Sequence, residues 1–293
     1  MFSTNGSVGM NFEHAWGDGV AVMRYIDEVI EDSQNNDFVT QVGDWNGNVE
    51  LERLEIKTDD KIREAVKESK KRFRAKCDSV TYHNFKLEGV GKNDCKKSKV
   101  GPDSFMQAAF QIAYFKLYGK FVPTYESCST AIFKHGRTET MRPCTEETAA
   151  LTKAMTSGST GSKEILSLLQ AASKKHFELT KLAAQGQGWD RHFFALRTLA
   201  NSSGQEMPKI FQDESYLNIN QNVLSTSTLS TSNITGGAFC PVVPNGFGLG
   251  YAIREDGLGA NISSFKELTN GNQFSEALQE TFREMGDIIK TAQ

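Results

Sequence analysis

In residues 20–32, VAVMRYIDEVIED, the apolar positions Val22, Tyr25, Ile26, Val29 and Ile30 recur at helical spacing, with Arg24, Asp27, Glu28 and Glu31 on the other side. That pattern predicts an amphipathic helix. Residues 33–49 are rich in Asn, Asp, Gln and Gly and read as a linker. A charged helix follows at about 59–77, then a short strand, VTYHNF, at 80–85. Residues 102–118, PDSFMQAAFQIAYFKLY, predict a strongly apolar helix opened by Pro102. A second helical zone runs from about 162 to 201, with a soft spot at Gly-Gln-Gly 186–188. From 222 onward, short runs of Val, Phe, Tyr and Ile alternate with Gly, Pro and Ser-Thr clusters, which reads as β. A last amphipathic helix covers about 272–290. Helices packed on a mixed sheet give an α/β layered architecture. No internal repeat is visible.

Composition narrows the function classes. The 293 residues are 38% hydrophobic and 24% charged, with a formal net charge of −3. That is globular rather than disordered, and it excludes a broad basic footprint for nucleic acid. The cysteines Cys77, Cys95, Cys128, Cys144 and Cys240 are scattered, with no C-x-x-C. This argues against a disulfide framework or a zinc site and for a reducing compartment. No run of 18 apolar residues is present to span a bilayer, and the N-terminus has neither a secretory signal pattern nor an Arg-rich transit pattern.

Three stretches carry candidate chemistry. In FEHAWGDG (12–19), His14 is a candidate general base, since imidazole titrates near neutral pH, and Asp18 could steer the ring. The alternative is a structural His beside a helix N-cap Asp. GKNDCKKSK (91–99) places Lys92, Lys96, Lys97 and Lys99 in one loop, suited to a phosphate or simply a solvated face. LSTSTLSTS (224–232) reads as a strand with Ser225 and Ser227 on one side and Thr226 and Thr228 on the other. Such a hydroxyl row can donate to a developing oxyanion, or it can be an ordinary edge strand. GSTGSK (158–163) lacks phosphate-loop spacing, and no G-x-S-x-G elbow occurs. His83, His135, His176 and His192 show no metal-ligand spacing as a set, so no metal is expected.

Taken in order, FEHAWGDGVAV (12–22), GKNDCKKSK with Pro102-Asp103, TYESCSTAIFKHGRTETMR (124–142), GWDRHFFALR (188–197), NVLSTSTLS (222–230) and FCPVVPNGFGLGY (239–251) resemble the choline/carnitine acyltransferase family. TYESCSTAIFKHGRTET and NVLSTSTLS look most like its branch acting on palmitoyl groups at the matrix side of the mitochondrial inner membrane. The resemblance implies a CoA-dependent acyltransferase fold similar to chloramphenicol acetyltransferase. Residues 1–57 would be the end of a first lobe and 58–293 most of a second, so that the first half of the family's length is missing. It implies acyl-CoA and L-carnitine as substrates, CoA as co-substrate with no permanently bound cofactor, no nucleic-acid partner, and mitochondrial location with peripheral membrane association. A non-catalytic fragment that binds acyl-CoA or a partner protein is the alternative reading.

The resemblance also assigns residues. His14 would take the proton of the carnitine 3-hydroxyl for direct attack on the thioester, with no acyl-enzyme. Asp18 would pair with Arg191, and Ser227 would support the oxyanion, with Ser225 beside it at the substrate. Tyr125, Ser127 and Thr138 match carnitine-binding positions, Arg191 adds positive charge for the carboxylate, and Phe239 matches an aromatic at the trimethylammonium group. Lys92 and Lys96, with Lys99 in the same cluster, match the site of the CoA 3′-phosphate. Gly237, preceded by Gly236, stands where the short-chain branch has a bulky Met. Medium to long acyl chains are therefore the expectation.

Overall fold

The computed structural model describes residues 1–38, 52–228 and 231–292. In chain order the elements are α1 (Gly19–Asn35), α2 (Asp60–Asp78), β1 (Val80–Glu88), α3 (Lys92–Lys97), α4 (Pro102–Tyr118), β2 (Thr124–Ser129), β3 (Thr138–Met141), α5 (Glu146–Ser157), α6 (Ser162–Ala184) and α7 (Asp190–Ser202). A 3₁₀ turn (Lys209–Gln212), α8 (Glu214–Ile219), β4 (Leu224–Thr228), β5 (Phe247–Ile253), β6 (Gly257–Phe265) and α9 (Gly271–Thr291) complete the chain. The strands form one mixed sheet in the order β1-β6-β5-β4-β2-β3. β4 runs parallel to both β2 and β5, and the other pairs are antiparallel.

Strand alternation sends one row of side chains to each face. On β5, Phe247, Leu249 and Tyr251 are buried in the core, and Gly248, Gly250 and Ala252 turn to the opposite face. The core side is covered by α4, α6 and α9. α4 starts with Pro102 at its first turn and buries every residue from Ser104 to Tyr114, so it is a central helix rather than an amphipathic one. α9 buries Phe274, Leu278, Phe282, Met285 and Ile289 along one stripe. The Phe282 ring lies 6.0 Å from Phe105 and 6.4 Å from Phe110, and Phe110 meets Tyr251 edge-on at 5.6 Å, locking α9, α4 and the sheet together.

Three expectations change. The lysine-rich 91–99 stretch is not a loop. It contains α3, whose start is fixed by the Asp94 carboxylate accepting from Gly91 N–H at 3.0 Å and by the fully buried Cys95. Gly91 is required there, because a Cβ would lie 2.5–2.7 Å from backbone atoms of residues 255–257. The helix predicted at 20–32 forms, but only Val22 is buried; Val20, Tyr25 and Val29 are exposed. It extends to Asn35, into the predicted linker, most of which lies outside the described residues. The charged helix expected at 59–77 forms as α2 and buries no residue.

Candidate active site

The face of the sheet away from the helices forms one wall of a cavity of about 1250 Å³, above the size usual for a small-ligand pocket. Register explains its lining. Tyr125 pairs with Ser225, Ser225 with Gly248, and Ser227 with Gly250, so β2, β4 and β5 present these positions side by side. His14, Asp18, Tyr125, Ser127, Thr138, Ser225, Ser227, Gly237 and Phe239 all line this one cavity. They come from positions more than 200 residues apart. The alternation expected on β4 holds: Thr226 Oγ1 turns the other way, accepting from Gln107 Nε2 and donating to the Tyr125 carbonyl, both at 2.9 Å.

The His14 turn is fastened by Arg137. Its guanidinium donates to the carbonyls of His14 (2.8 Å), Ala15 (3.0 Å) and Gly17 (3.0 Å), and to Asp18 Oδ1 at 3.0 Å. Asp18 Oδ1 is 3.9 Å from His14 Nδ1, and Arg137 Nη2 is 3.4 Å from the same ring nitrogen. The expected Asp18–Arg191 pair is therefore corrected: Asp18 pairs with Arg137. Arg137 sits on the turn that faces the His14 segment. Arg191, in the first turn of α7, reaches Tyr125 Oη at 3.1 Å and Thr138 Oγ1 at 3.3 Å instead. It also lies 5.9 Å from the centre of the Tyr125 ring. Arg191 does not itself line the cavity; it stands behind Tyr125 and Thr138, which do, and the cation with its two hydroxyls is an arrangement that fits a carboxylate.

Arg191 is placed by Arg142. That side chain makes a two-pronged contact with Asp190 at 2.7 and 2.9 Å and donates to Ile219 O at 2.7 Å and Asn222 Oδ1 at 3.1 Å. Its guanidinium lies 5.5 Å from the Trp189 ring centre. The start of α7 is therefore held from several directions next to β3.

The lysines stand apart. None of Lys92, Lys96 and Lys99 lines the cavity. Lys92 Nζ contacts Glu255 Oε1 at 2.9 Å and holds that carboxyl below its ordinary range, while Lys96 and Lys99 are exposed. Among the described residues no group of three or more His, Cys, Asp or Glu side chains is arranged to hold a metal ion.

Behind the site strands lies a polar layer that the sequence reading did not single out. His176 Nε2 on α6 is 2.8 Å from Glu126 Oε2, both side chains being 13% exposed, and burial pushes the Glu126 carboxyl upward despite that partner. The Tyr251 hydroxyl donates to Asp103 Oδ1 at 3.0 Å, and burial raises its pKa well above the ordinary phenol value. The alternation in TYESCS was the available signal: Tyr125 and Ser127 share one face, which puts Glu126 on the other.

Against this geometry, the choline/carnitine O-acyltransferase family model matches residues 1–280. The chain belongs to that family. Curated relatives include mitochondrial carnitine O-palmitoyltransferase 2 of Bos taurus, 39% identical over 295 residues, and that of Homo sapiens, 40% identical over 295. Each alignment covers 99% of this chain and 45% of the relative. Choline O-acetyltransferase of Rattus norvegicus is 32% identical over 294 residues, covering 99% of this chain and 46% of its own. The chain thus spans under half the length of these relatives. Among solved structures, a wax ester synthase/diacylglycerol acyltransferase from Marinobacter aquaeolei VT8 overlaps 93% of this chain and 66% of its own, at a TM-score of 0.41 and 10% identity. No described helix of this family member is long and apolar enough to cross a membrane.

Proposed function

We propose that this chain carries the acyl-transfer site of a carnitine O-acyltransferase that moves medium- to long-chain acyl groups reversibly between CoA and carnitine. The observation that carries the reading is the cluster of Arg191, Tyr125 and Thr138 at the border of the cavity into which His14 opens. A cation flanked by two hydroxyls suits the carboxylate that carnitine has and choline lacks; unpaired donors penalise the wrong substrate.

In this reading His14 accepts the proton of the carnitine 3-hydroxyl, and the oxygen attacks the thioester carbonyl. The Ser227 hydroxyl donates to the oxyanion as it forms, with Ser225 and Ser127 completing the polar wall. Collapse breaks the carbon–sulfur bond, and the CoA thiolate takes back the proton from His14. Arg137 orients the His14 turn through three backbone carbonyls, and Asp18 supplies its counter-charge. Phe239 offers a ring face to the quaternary ammonium. Lys92, Lys96 and Lys99 attract the CoA phosphates from outside the cavity, for which Lys92 must leave Glu255. The absence of a side chain at Gly237 leaves room for a long chain, each buried methylene contributing about 0.8 kcal/mol. A mitochondrial location and peripheral membrane association come with the reading, as does the division into 1–57, ending a first lobe, and 58–293.

Calorimetric titration with L-carnitine and choline tests it. The wild-type chain should bind carnitine more tightly, and Arg191→Ala should weaken carnitine binding by roughly tenfold or more, as expected for losing a charged hydrogen-bond partner, while leaving choline unchanged. Equal loss for both ligands would count against the carboxylate assignment. A second reading, a chain that binds acyl-CoA without turning it over, is favoured by the exposed apolar positions of α1 and the unburied α2. It predicts acyl-CoA binding with no carnitine-dependent thiol release.

A further inference from the structure

Residues 236–240 run as a strap across the cavity face of β5, at the two glycines of Phe-Gly-Leu-Gly-Tyr 247–251. A Cβ on Gly250 would lie 2.2 Å from the Gly237 carbonyl oxygen and 3.1 Å from its carbon. One on Gly248 would lie 2.6 Å from the Phe239 carbonyl oxygen and 3.2 Å from the Cys240 carbonyl carbon. At Gly248 the Ser263 hydroxyl is nearer still, at 2.5 Å, but the strap atoms met at both positions are backbone, so a side chain at Gly250 could be admitted only by lifting the strap. The strap is otherwise fastened from the side: Ser263 Oγ donates to the Phe239 carbonyl, and Tyr82 Oη lies 3.5 Å from Cys240 Sγ. Gly236 differs. A Cβ there would meet the Asn261 amide nitrogen at 2.9 Å, the mobile end of a side chain that can swing away.

The position of this contact gives it consequence. Gly250 is the register partner of Ser227 on one side and Asn261 on the other, and the next cavity-facing pair outward is Ala252 with Gly259. From the proposed oxyanion hydroxyl outward, the height of the strap above β5 therefore sets how much room the cavity has. We propose that Gly250 is a specificity-determining residue for acyl-chain length, because its bare Cα seats the strap carrying Gly237 and Phe239 flat on β5. Filling position 250 raises the Gly237 backbone into the cavity, where a long acyl chain that must pass the strap loses more room than a two-carbon group. The inference rests on the acyl-transfer reading and adds to it a residue that never needs to touch carnitine or the reacting carbonyl.

Binding of acetyl-CoA, octanoyl-CoA and palmitoyl-CoA, each below its aggregation concentration, to the full chain tests it. Gly250→Ala should weaken palmitoyl-CoA at least about tenfold, the discrimination that one or two methylenes carry in an apolar pocket, and leave acetyl-CoA within about twofold. Gly236→Ala, where the neighbour can yield, should change neither by more than about twofold. Hydrogen exchange should show residues 236–240 deprotected in Gly250→Ala with α4 and α9 unaltered. Should Gly250→Ala not fold, Ser263→Ala, which frees the strap by removing its hydroxyl anchor, must shift the palmitoyl-to-acetyl ratio in the same direction. A folded Gly250→Ala that keeps the wild-type ratio, or an unchanged ratio in Ser263→Ala, overturns the inference alone. A wild-type chain that binds palmitoyl-CoA no better than acetyl-CoA overturns the long-chain reading and this inference together.

Discussion

Arg137 holds the backbone of the His14 turn and the Asp18 carboxylate with one planar group, a geometry that lysine cannot reproduce. Lysine offers a point charge on a flexible stem, and it would keep the ion pair with Asp18 while releasing most of the three carbonyls. Arg137→Lys is therefore expected to lower kcat by roughly 10- to 100-fold, as displacing a catalytic group by an ångström does, with KM for carnitine little changed. Steady-state thiol release with the wild type and Arg137→Lys measures the split; a change confined to KM would contradict a positioning role. The identity of this arginine shows where residue-level reading reaches its limit. His14, Asp18, Tyr125, Thr138 and Ser227 stand in stretches that resemble the family, and the fold brings all five to one cavity. The partner of Asp18 lies 119 residues away, and Arg137 and Arg191 are chemically equivalent candidates until the fold separates them. One faces the turn, and the other faces Tyr125 and Thr138.

At the scale of elements, helices are legible whether or not they are buried: the charged pattern at 59–77 forms α2 (Asp60–Asp78), which buries no residue. The predicted 102–118 helix matches α4 (Pro102–Tyr118), and α9 spans Gly271–Thr291 where 272–290 was expected; both pack against the sheet over much of their length. The Gly-Gln-Gly soft spot does separate α6 from α7. β2 and β3 carry polar residues on both faces, which hides them from hydrophobic periodicity: one face lines the cavity, and the other holds Glu126 against His176. That pair fastens α6 to β2, and it makes stability depend on pH. Burial raises the folded-state pKa of Glu126 above the ordinary value of 4.5. A raised folded pKa means that this carboxyl's stabilising contribution is present below 4.5 and is lost as pH rises through the folded value. Glu126→Gln cannot ionise and keeps a carbonyl that can accept from His176 Nε2. Its stability relative to wild type should therefore climb from pH 4.5 to about 7. Urea unfolding across that range reads it directly; a difference that is flat or falls with pH would contradict the buried-carboxyl account.

The whole molecule divides its sheet between two environments. One face is sealed by α4, α6 and α9 around an aromatic core; the other fronts a cavity lined by His14, by Tyr125 and Thr138 with Arg191 behind them, and by the β4 hydroxyls. The mixed α/β class was legible from the succession of helical and strand patterns. The strand order was not, because β4 joins β2 and β5 only after the chain has built four intervening helices and a 3₁₀ turn. The His14 side chain is 63% exposed, and α1 and α2 leave apolar side chains uncovered. Exposure of that extent bears on how well His14 is held for the proposed role of base, since productive geometry tolerates only about half an ångström. Whether this chain performs acyl transfer is decided by one assay: release of CoA thiol from palmitoyl-CoA in the presence and absence of L-carnitine, with wild type and His14→Ala side by side. The account predicts carnitine-dependent release by the wild type that falls to the uncatalysed rate in His14→Ala. Palmitoyl-CoA binding without carnitine-dependent release, or release that survives the loss of His14, would contradict it.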